Sequence, residues 1–229
     1  MKISVIIPCY NEEKYILEVI QNIFEKNKDL NIEIIITDDF SYDGTRALLS
    51  NIKDERVKIF YNEKNMGKGF CIRKSLKNIS GDIIIIQDAD LEYDPGEYSV
   101  LLNPIFKFNA DVVYGSRFLG RDEKRVGFFW HTLGNKVLTL LSNIMTNLNL
   151  TDMEVCYKVF KASVIKNIDL IENRFGFEPE ITAKIAKKKI KIYEVGVSYH
   201  GRSYTEGKKI NWKDGISAIR CILKYSLFK

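Results

Sequence analysis

The chain has 229 residues, of which 45% are hydrophobic and 28% charged, with only four prolines, which is the profile of a globular chain with a sizeable core and excludes disordered, collagen-like and repetitive classes. The longest apolar stretch, residues 137–145, is interrupted by polar groups and falls short of the roughly 20 residues of a membrane span, and residues 1–13 lack a signal-peptide core, so a cytoplasmic address is expected. The formal net charge of +5 is unevenly spread, with 14 Lys and Arg against 19 Asp and Glu in residues 1–114 and 21 against 11 in residues 115–229, so a half suited to a metal precedes a half suited to phosphates or an anionic membrane surface.

In chain order, apolar runs alternate with helical patterns. A strand at 3–8 leads to a helix at 12–26, a strand at 32–37 to a helix at 45–52, and a strand at 57–61 to a helix at 68–78, before a strand at 82–87. Ile34 to Ile36 and Ile83 to Ile86 are β-branched and apolar on both faces, as central parallel strands covered by helices on each side must be. This order predicts the α/β class with a doubly wound, mainly parallel central sheet flanked by helices. The second half reads as a strand at 111–114, an amphipathic stretch at 133–148, helices at 178–188 and 212–225, and a strand at 191–195. No composition break separates the halves, so a single domain over residues 1–229 is expected. Cys9, Cys71, Cys156 and Cys221 lie far apart with no CxxC pair and read as buried thiols.

Ligands of such sheets bind at the carboxyl ends of the strands, here 8–11, 38–43, 62–69 and 88–92. At the last of these, Asp88, Asp90 and Glu92 alternate along an extended chain and share one side, a hard-oxygen set suited to Mg²⁺ or Mn²⁺. Acids that merely open the turn at Asp94-Pro95-Gly96 are the structural alternative. Asp38 and Asp39 end a buried strand and, as pure acceptors, suit a nucleobase N–H or ribose hydroxyls, whereas Ser41, Asp43 and Thr45 suit helix capping. In Asn65-Met66-Gly67-Lys68-Gly69, backbone amides and a lysine face a phosphate at a helix start. The chain has neither GxGxxG nor a P-loop, which removes the support for a dehydrogenase or kinase. His131 and His200 lack ligand spacing and read as structural or pocket-lining. Leu133, Val137, Leu138, Leu140, Leu141, Ile144, Met145 and Leu148 form a stripe that packs on the core or lies on a membrane, and Val126 to Trp130 suits interfacial depth.

Taken together, Pro8-Cys9-Tyr10-Asn11-Glu12, the segment Thr37 to Thr45, Asn65 to Gly69 and Asp88-Ala89-Asp90 resemble the family 2, GT-A-fold inverting glycosyltransferases. Gly115-Ser116-Arg117-Phe118, Thr151 to Lys158 and Tyr199-His200-Gly201-Arg202 are similar to its dolichol-phosphate mannose synthase branch. The resemblance implies that residues 1–114 are the nucleotide-sugar and metal half, and residues 115–229 the acceptor half. It further implies nucleotide-sugar contacts from Pro8, Tyr10, Asn11, Glu12, Asp38, Asp39, Lys68 and Asp88, and a Mg²⁺ or Mn²⁺ ion on Asp88, Asp90 and Glu92. Arg117, Arg125, Arg202, Lys208 and Lys209 would meet the acceptor phosphate. Asp90, Arg117, Asp152 and Arg202 would stand at the reacting groups, with Asp152 either orienting an arginine or touching substrate. Phe40 and Cys156 stand where glycine is usual.

The implied reaction is attack by a polyprenyl-phosphate oxygen on the anomeric carbon of a nucleotide sugar, GDP-mannose before UDP-glucose, with inversion. The implied partners are the lipid phosphate, the cytoplasmic face of a membrane, and a membrane-anchoring protein if attachment is not direct. Two alternatives stand beside it. One is a family 2 transferase extending a cell-surface polysaccharide; the other is a non-catalytic nucleotide- or nucleic-acid-binding module, for which no nucleic-acid motif speaks.

Overall fold

Four runs of β-branched residues build the frame. β1 (Lys2–Cys9), β2 (Asn31–Asp38), β3 (Val57–Tyr61) and β4 (Ile83–Ile86) lie parallel, with β1 between β2 and β4 and β3 outside β2. In the computed structural model, which describes residues 1–120, 125–203, 207, 209 and 212–227, they join β5 (Val112–Ser116), β6 (Lys158–Lys161) and β7 (Ile192–Gly196). The result is one seven-stranded sheet of order β3-β2-β1-β4-β6-β5-β7. Val5, Ile6, Ile7, Ile34, Ile35, Ile36, Ile84 and Ile85 are fully buried, so both faces of the central strands are covered, as their lack of alternation requires. The covering helices are α1 (Ile16–Lys26), α2 (Thr45–Ser50), α3 (Lys68–Leu76), α4 (Tyr98–Phe108), α5 (Phe129–Thr146), α6 (Ala162–Ile165), α7 (Phe177–Ala186) and α8 (Trp212–Leu227).

The sheet registers decide where chemistry can occur. Cys9 lies opposite Asp38 and Asp38 opposite Tyr61, so the ends of β1, β2 and β3 share one edge with the end of β4. β6 runs antiparallel to both β4 and β5, setting Lys158 opposite Ile86 and opposite Tyr114. That reversal brings the segment before Lys158, including Asp152 and Cys156, to the edge where β4 releases Asp88. β5 and β7 are parallel, with Ser116 opposite Gly196, so Arg117 and the segment Tyr199 to Arg202 leave the sheet at this edge too.

Several elements differ from the sequence expectation, α6 among them, which was not expected. α1 begins at Ile16 rather than at residue 12, because Asn11 adopts φ +50° and the amides of Asn11, Glu12 and Glu13 are taken by Ser41 Oγ, Thr45 Oγ1 and Asp43 Oδ2. Asp43 Oδ1 also accepts from the Thr45 amide at 3.0 Å, so these side chains tie two loops together besides supporting the start of α2. α4 was not foreseen; it contains Pro104, which ordinarily interrupts a helix. β6 was not foreseen either, since Lys158 interrupts its apolar pattern.

Candidate active site

The acids that leave β4 meet cations from the second half of the chain. Arg202 sets its guanidinium against both oxygens of Glu12, at 3.0 and 3.2 Å, and against Asp90. Its backbone N–H donates to Glu92 Oε1 at 2.7 Å, and the Tyr199 hydroxyl donates to Glu92 Oε2 at 3.0 Å. Lys209 adds an ammonium 2.5 Å from Glu12 Oε1 and donates to the Tyr10 carbonyl. Lys68 lies 3.0 Å from Asp88 Oδ1 and 3.0 Å from Glu178 Oε1. Burial pushes the Asp90 carboxyl up to about 8, reinforced by the charges of Asp88 and Glu92 and opposed by Arg202. Asp88 behaves oppositely: burial favours its neutral form, but Lys68 and the Cys156 thiol hold it below the ordinary carboxylate range. The Cys156 sulfur stands 3.9 Å from the Ile86 carbonyl at the end of β4. Beneath Asp88, Gln87 Oε1 is fixed by the hydroxyls of Tyr98 and Tyr157 at 3.0 and 2.7 Å.

Arg117 leaves β5 and forms a fork with Asp152, Nε to Oδ2 at 2.7 Å and Nη2 to Oδ1 at 2.8 Å, while its amide also donates to Oδ2. Its guanidinium carbon stands 5.1 Å from the centre of the Tyr199 ring. Arg125 donates to the Gly201 carbonyl at 3.2 Å. Lys208 lies outside the described residues. Among those described, no group of three or more His, Cys, Asp or Glu side chains is arranged to hold a metal ion.

At the β2 end, Asp38 accepts from Arg46 Nε at 2.7 Å and from the Ser41 amide at 3.2 Å, while its Oδ1 is buried without a hydrogen-bond partner. Asp39 is engaged by the chain itself: it accepts from Asn62 Nδ2 at 2.8 Å and from the amides of Met66 and Gly67 at 2.7 Å each. The phosphate cradle expected at 65–69 is thereby corrected. Two of its amides are held by Asp39, the Phe70 amide donates to the Asn173 carbonyl at 3.0 Å, and a Cβ on Gly67 or Gly69 would stand 2.4 or 2.3 Å from the carbonyls of Asn173 and Glu172. The start of α3 is packed against residues 172–174. Pro8 is the last residue but one of β1 and lies opposite Thr37, and Tyr10 meets Tyr42 edge-on at 6.1 Å. Glu178, in the first turn of α7 and next to Lys68, was missed by sequence reasoning, because an acid there reads as a partner of the helix dipole.

Residues 4–169 match the family described as Glycosyl transferase family 2, and the chain belongs to that family. It is 29% identical over 217 residues to a dolichol-phosphate mannosyltransferase of Pyrococcus furiosus, covering 92% of this chain and 61% of that protein. It is 25% identical over 245 residues to a dolichyl-phosphate beta-glucosyltransferase of Trichomonas vaginalis, covering 99% of this chain and 73% of that one. Two solved structures share the fold. Glucosyl-3-phosphoglycerate synthase from Mycobacterium tuberculosis, crystallised with Mn²⁺, uridine diphosphate and phosphoglyceric acid, superposes with a TM-score of 0.75 at 20% identity, covering 98% and 78% of the two chains. Mannosyl-3-phosphoglycerate synthase from Rubrobacter xylanophilus superposes at 0.78 and 17% identity, covering 98% and 73%. The fold is thus the GT-A arrangement expected from the motifs.

Proposed function

We propose that the protein transfers a hexose from a nucleotide sugar to a polyprenyl phosphate, dolichyl or undecaprenyl, with inversion at the anomeric carbon. GDP-mannose is the first donor to test and UDP-glucose the second, in keeping with the names of the two relatives. The observation that carries the reading is Tyr199, which carries the Arg117 guanidinium over its ring and donates to Glu92, the residue that also holds the Arg202 amide. Two arginines therefore converge on Tyr199 and Glu92, Arg117 through the ring and Arg202 through its amide. A phosphate monoester is already ionised near neutral pH, its second pKa being about 6, so it needs no general base, only positioning by planar, two-pronged cations. Asp152 orients Arg117, since both its oxygens are already taken by that guanidinium.

Asp88 and Asp90 fit a divalent cation. They are hard oxygen donors crowded at one strand end, where burial and the charges of Asp88 and Glu92 raise the Asp90 carboxyl, and Mg²⁺ or Mn²⁺ commonly takes one or two carboxylates, with phosphate oxygens and water completing the shell. When bound, the metal would supply Lewis-acid stabilisation of the leaving diphosphate. Glu92, expected as a third ligand, has its two oxygens engaged by the Tyr199 hydroxyl and the Arg202 amide and would fix the acceptor side instead.

A lipid acceptor makes the cytoplasmic face of a membrane the working surface. This is supported by two outward stripes at three- and four-residue spacing: Trp130, Leu133, Val137, Leu140 and Ile144 on α5, and Trp212, Ile216, Ile219, Leu223 and Leu227 on α8, all exposed. Among the described residues no helix is long and apolar enough to cross a membrane; the two stripes are the described surface that would meet the bilayer.

The test offers the purified chain labelled GDP- and UDP-sugars, polyprenyl phosphate and Mn²⁺ or Mg²⁺, and counts label extracted into organic solvent. Metal-dependent extraction with one donor is expected. Transfer to a free glycan with none to lipid phosphate would replace this reading by the polysaccharide transferase.

A further inference from the structure

Lys68 opens α3 with its ammonium midway between two carboxylates, 3.0 Å from Asp88 Oδ1 and 3.0 Å from Glu178 Oε1. The two acids differ in what else they can reach. The Asp88 side chain is 23% exposed, whereas that of Glu178 is 4% exposed, and Glu178 Oε2 is buried with no hydrogen-bond partner. A lysine paired with Asp88 needs no second acid for neutrality, and burying a further carboxylate costs its hydration. Of the other cations nearby, Lys158 donates its ammonium to the Val155 carbonyl while its charge also acts on Glu178 and Glu154, and Arg117 is forked onto Asp152. Among the described residues Lys68 is the cation within ion-pair distance of Glu178.

We propose that Glu178 is a positioning residue that shares and balances the charge of Lys68, so that the negative charge of Asp88 is left available to a divalent cation in the cleft. The inference rests on the reading given under Proposed function. Without Glu178, Asp88 is the remaining carboxylate against the Lys68 ammonium, and an incoming cation competes with an internal one for the same oxygens. With Glu178 present, the lysine has a second anchor and is held beside the diphosphate position. α7, which carries none of the recognised motifs, is thereby joined to the donor end of the sheet.

The test is Mn²⁺ uptake by the full chain, followed by the electron paramagnetic resonance signal of free Mn²⁺ with UDP or GDP present, for the wild type, E178Q, E178D, K68M and K68M/E178Q. Contacting residues commonly couple strongly enough to change an equilibrium by a factor of ten. E178Q should accordingly weaken Mn²⁺ binding about tenfold, with E178D staying within about threefold of the wild type. In the K68M background, E178Q should change the affinity by less than about twofold, because the charge it balanced is gone. A purely structural glutamate would weaken binding equally in both backgrounds, which overturns the inference, as does an unmoved E178Q. Should E178Q fail to fold, K68M against K68M/E178Q decides: equal affinities uphold the inference and a tenfold loss overturns it. Wild-type chain that takes up no Mn²⁺ with either nucleotide overturns this inference together with the proposed function; uptake by the wild type with E178Q unmoved overturns this inference alone.

Discussion

Phe40 holds φ at +65°, a left-handed backbone that costs an L-residue roughly 1–2 kcal/mol. The turn is held from both sides: the Asp39 amide donates to the Cys9 carbonyl at 2.8 Å and the Ser41 amide to Asp38 at 3.2 Å. The Phe40 ring recovers part of the cost against the Arg46 guanidinium, 5.3 Å from its centre, but the side chain is 45% exposed, and such contacts at exposed sites contribute only about 0.5–1 kcal/mol. Asparagine tolerates this backbone better, so F40N should stabilise the fold by about 0.5–1 kcal/mol, a rise in melting temperature of about 1–4 °C. A fall in melting temperature by differential scanning calorimetry would show that the aromatic contact outweighs the strain. The neighbouring acids show how far single residues can be read from sequence. Asp38, Asp39, Asp88 and Asp90 were legible as strand-end carboxylates, but their partners were not. Asp39 turns to the amides of Met66 and Gly67 because β3 returns beside β2, a long-range event that spacing along the chain does not encode. Glu178 was invisible for the same reason: its meaning comes from Lys68, far away in sequence.

Among the elements, α8 depends on one carboxylate outside it. Glu172 accepts from Arg220 at 3.1 and 2.6 Å and from the Tyr225 hydroxyl at 2.7 Å. Burial alone would raise its pKa, but these donors overcome it and bring the value from 4.5 down to about 2. A carboxyl depressed in the folded state contributes stability that is present above its unfolded value and is lost as pH falls through the folded one. The docking of α8 should therefore weaken as pH falls from about 4.5 to about 2. Glu33 is also depressed, by Ser4, Lys2 and Ser80 against its own burial, so the informative quantity is the difference between the wild type and E172Q. Urea midpoints measured against pH should fall more steeply for the wild type across that window, and parallel curves would remove Glu172 from the acid response. Most elements were legible because period and length agree with their state: the Ile-rich strands could only be central, and α8 has a clear helical stripe. The exceptions have physical causes. α4 tolerates Pro104 in its interior, and β6 carries the buried Lys158, whose ammonium finds the Val155 carbonyl, a partner visible only after folding.

At the scale of the whole molecule, the charge division and the sheet order act together. The parallel strands β1 to β4 release the acids of the first half at one edge, and the reversal at β6 lets β5 and β7 return Arg117 and Arg202 from the basic half to that edge. The same basic half carries the two apolar stripes. α5 has no acidic residue and α8 has Asp214 alone, against Lys136, Lys213, Arg220 and Lys224, the last two sharing Glu172. Two copies meeting through these helices would bring like charges together, whereas an anionic bilayer offers opposite charge at its surface and apolar depth below it. Trp130 and Trp212, 76% and 72% exposed, stand near the starts of the two stripes and are the residue type that favours that depth. The chain should therefore sediment with anionic phospholipid vesicles and less with neutral ones. Raising the salt from about 0.05 to about 0.5 M should weaken this binding without abolishing it, because screening acts on the lysines and arginines and not on buried indole. W130A/W212A should lower the partition coefficient at least tenfold, on the order of 1.5–3 kcal/mol being released for each large apolar side chain fully buried. Complete release by salt would reduce the contact to charge alone, and a variant that sediments as well as the wild type would free both stripes for a protein partner, which a concentration-dependent dimer mass in sedimentation equilibrium would identify as a second copy.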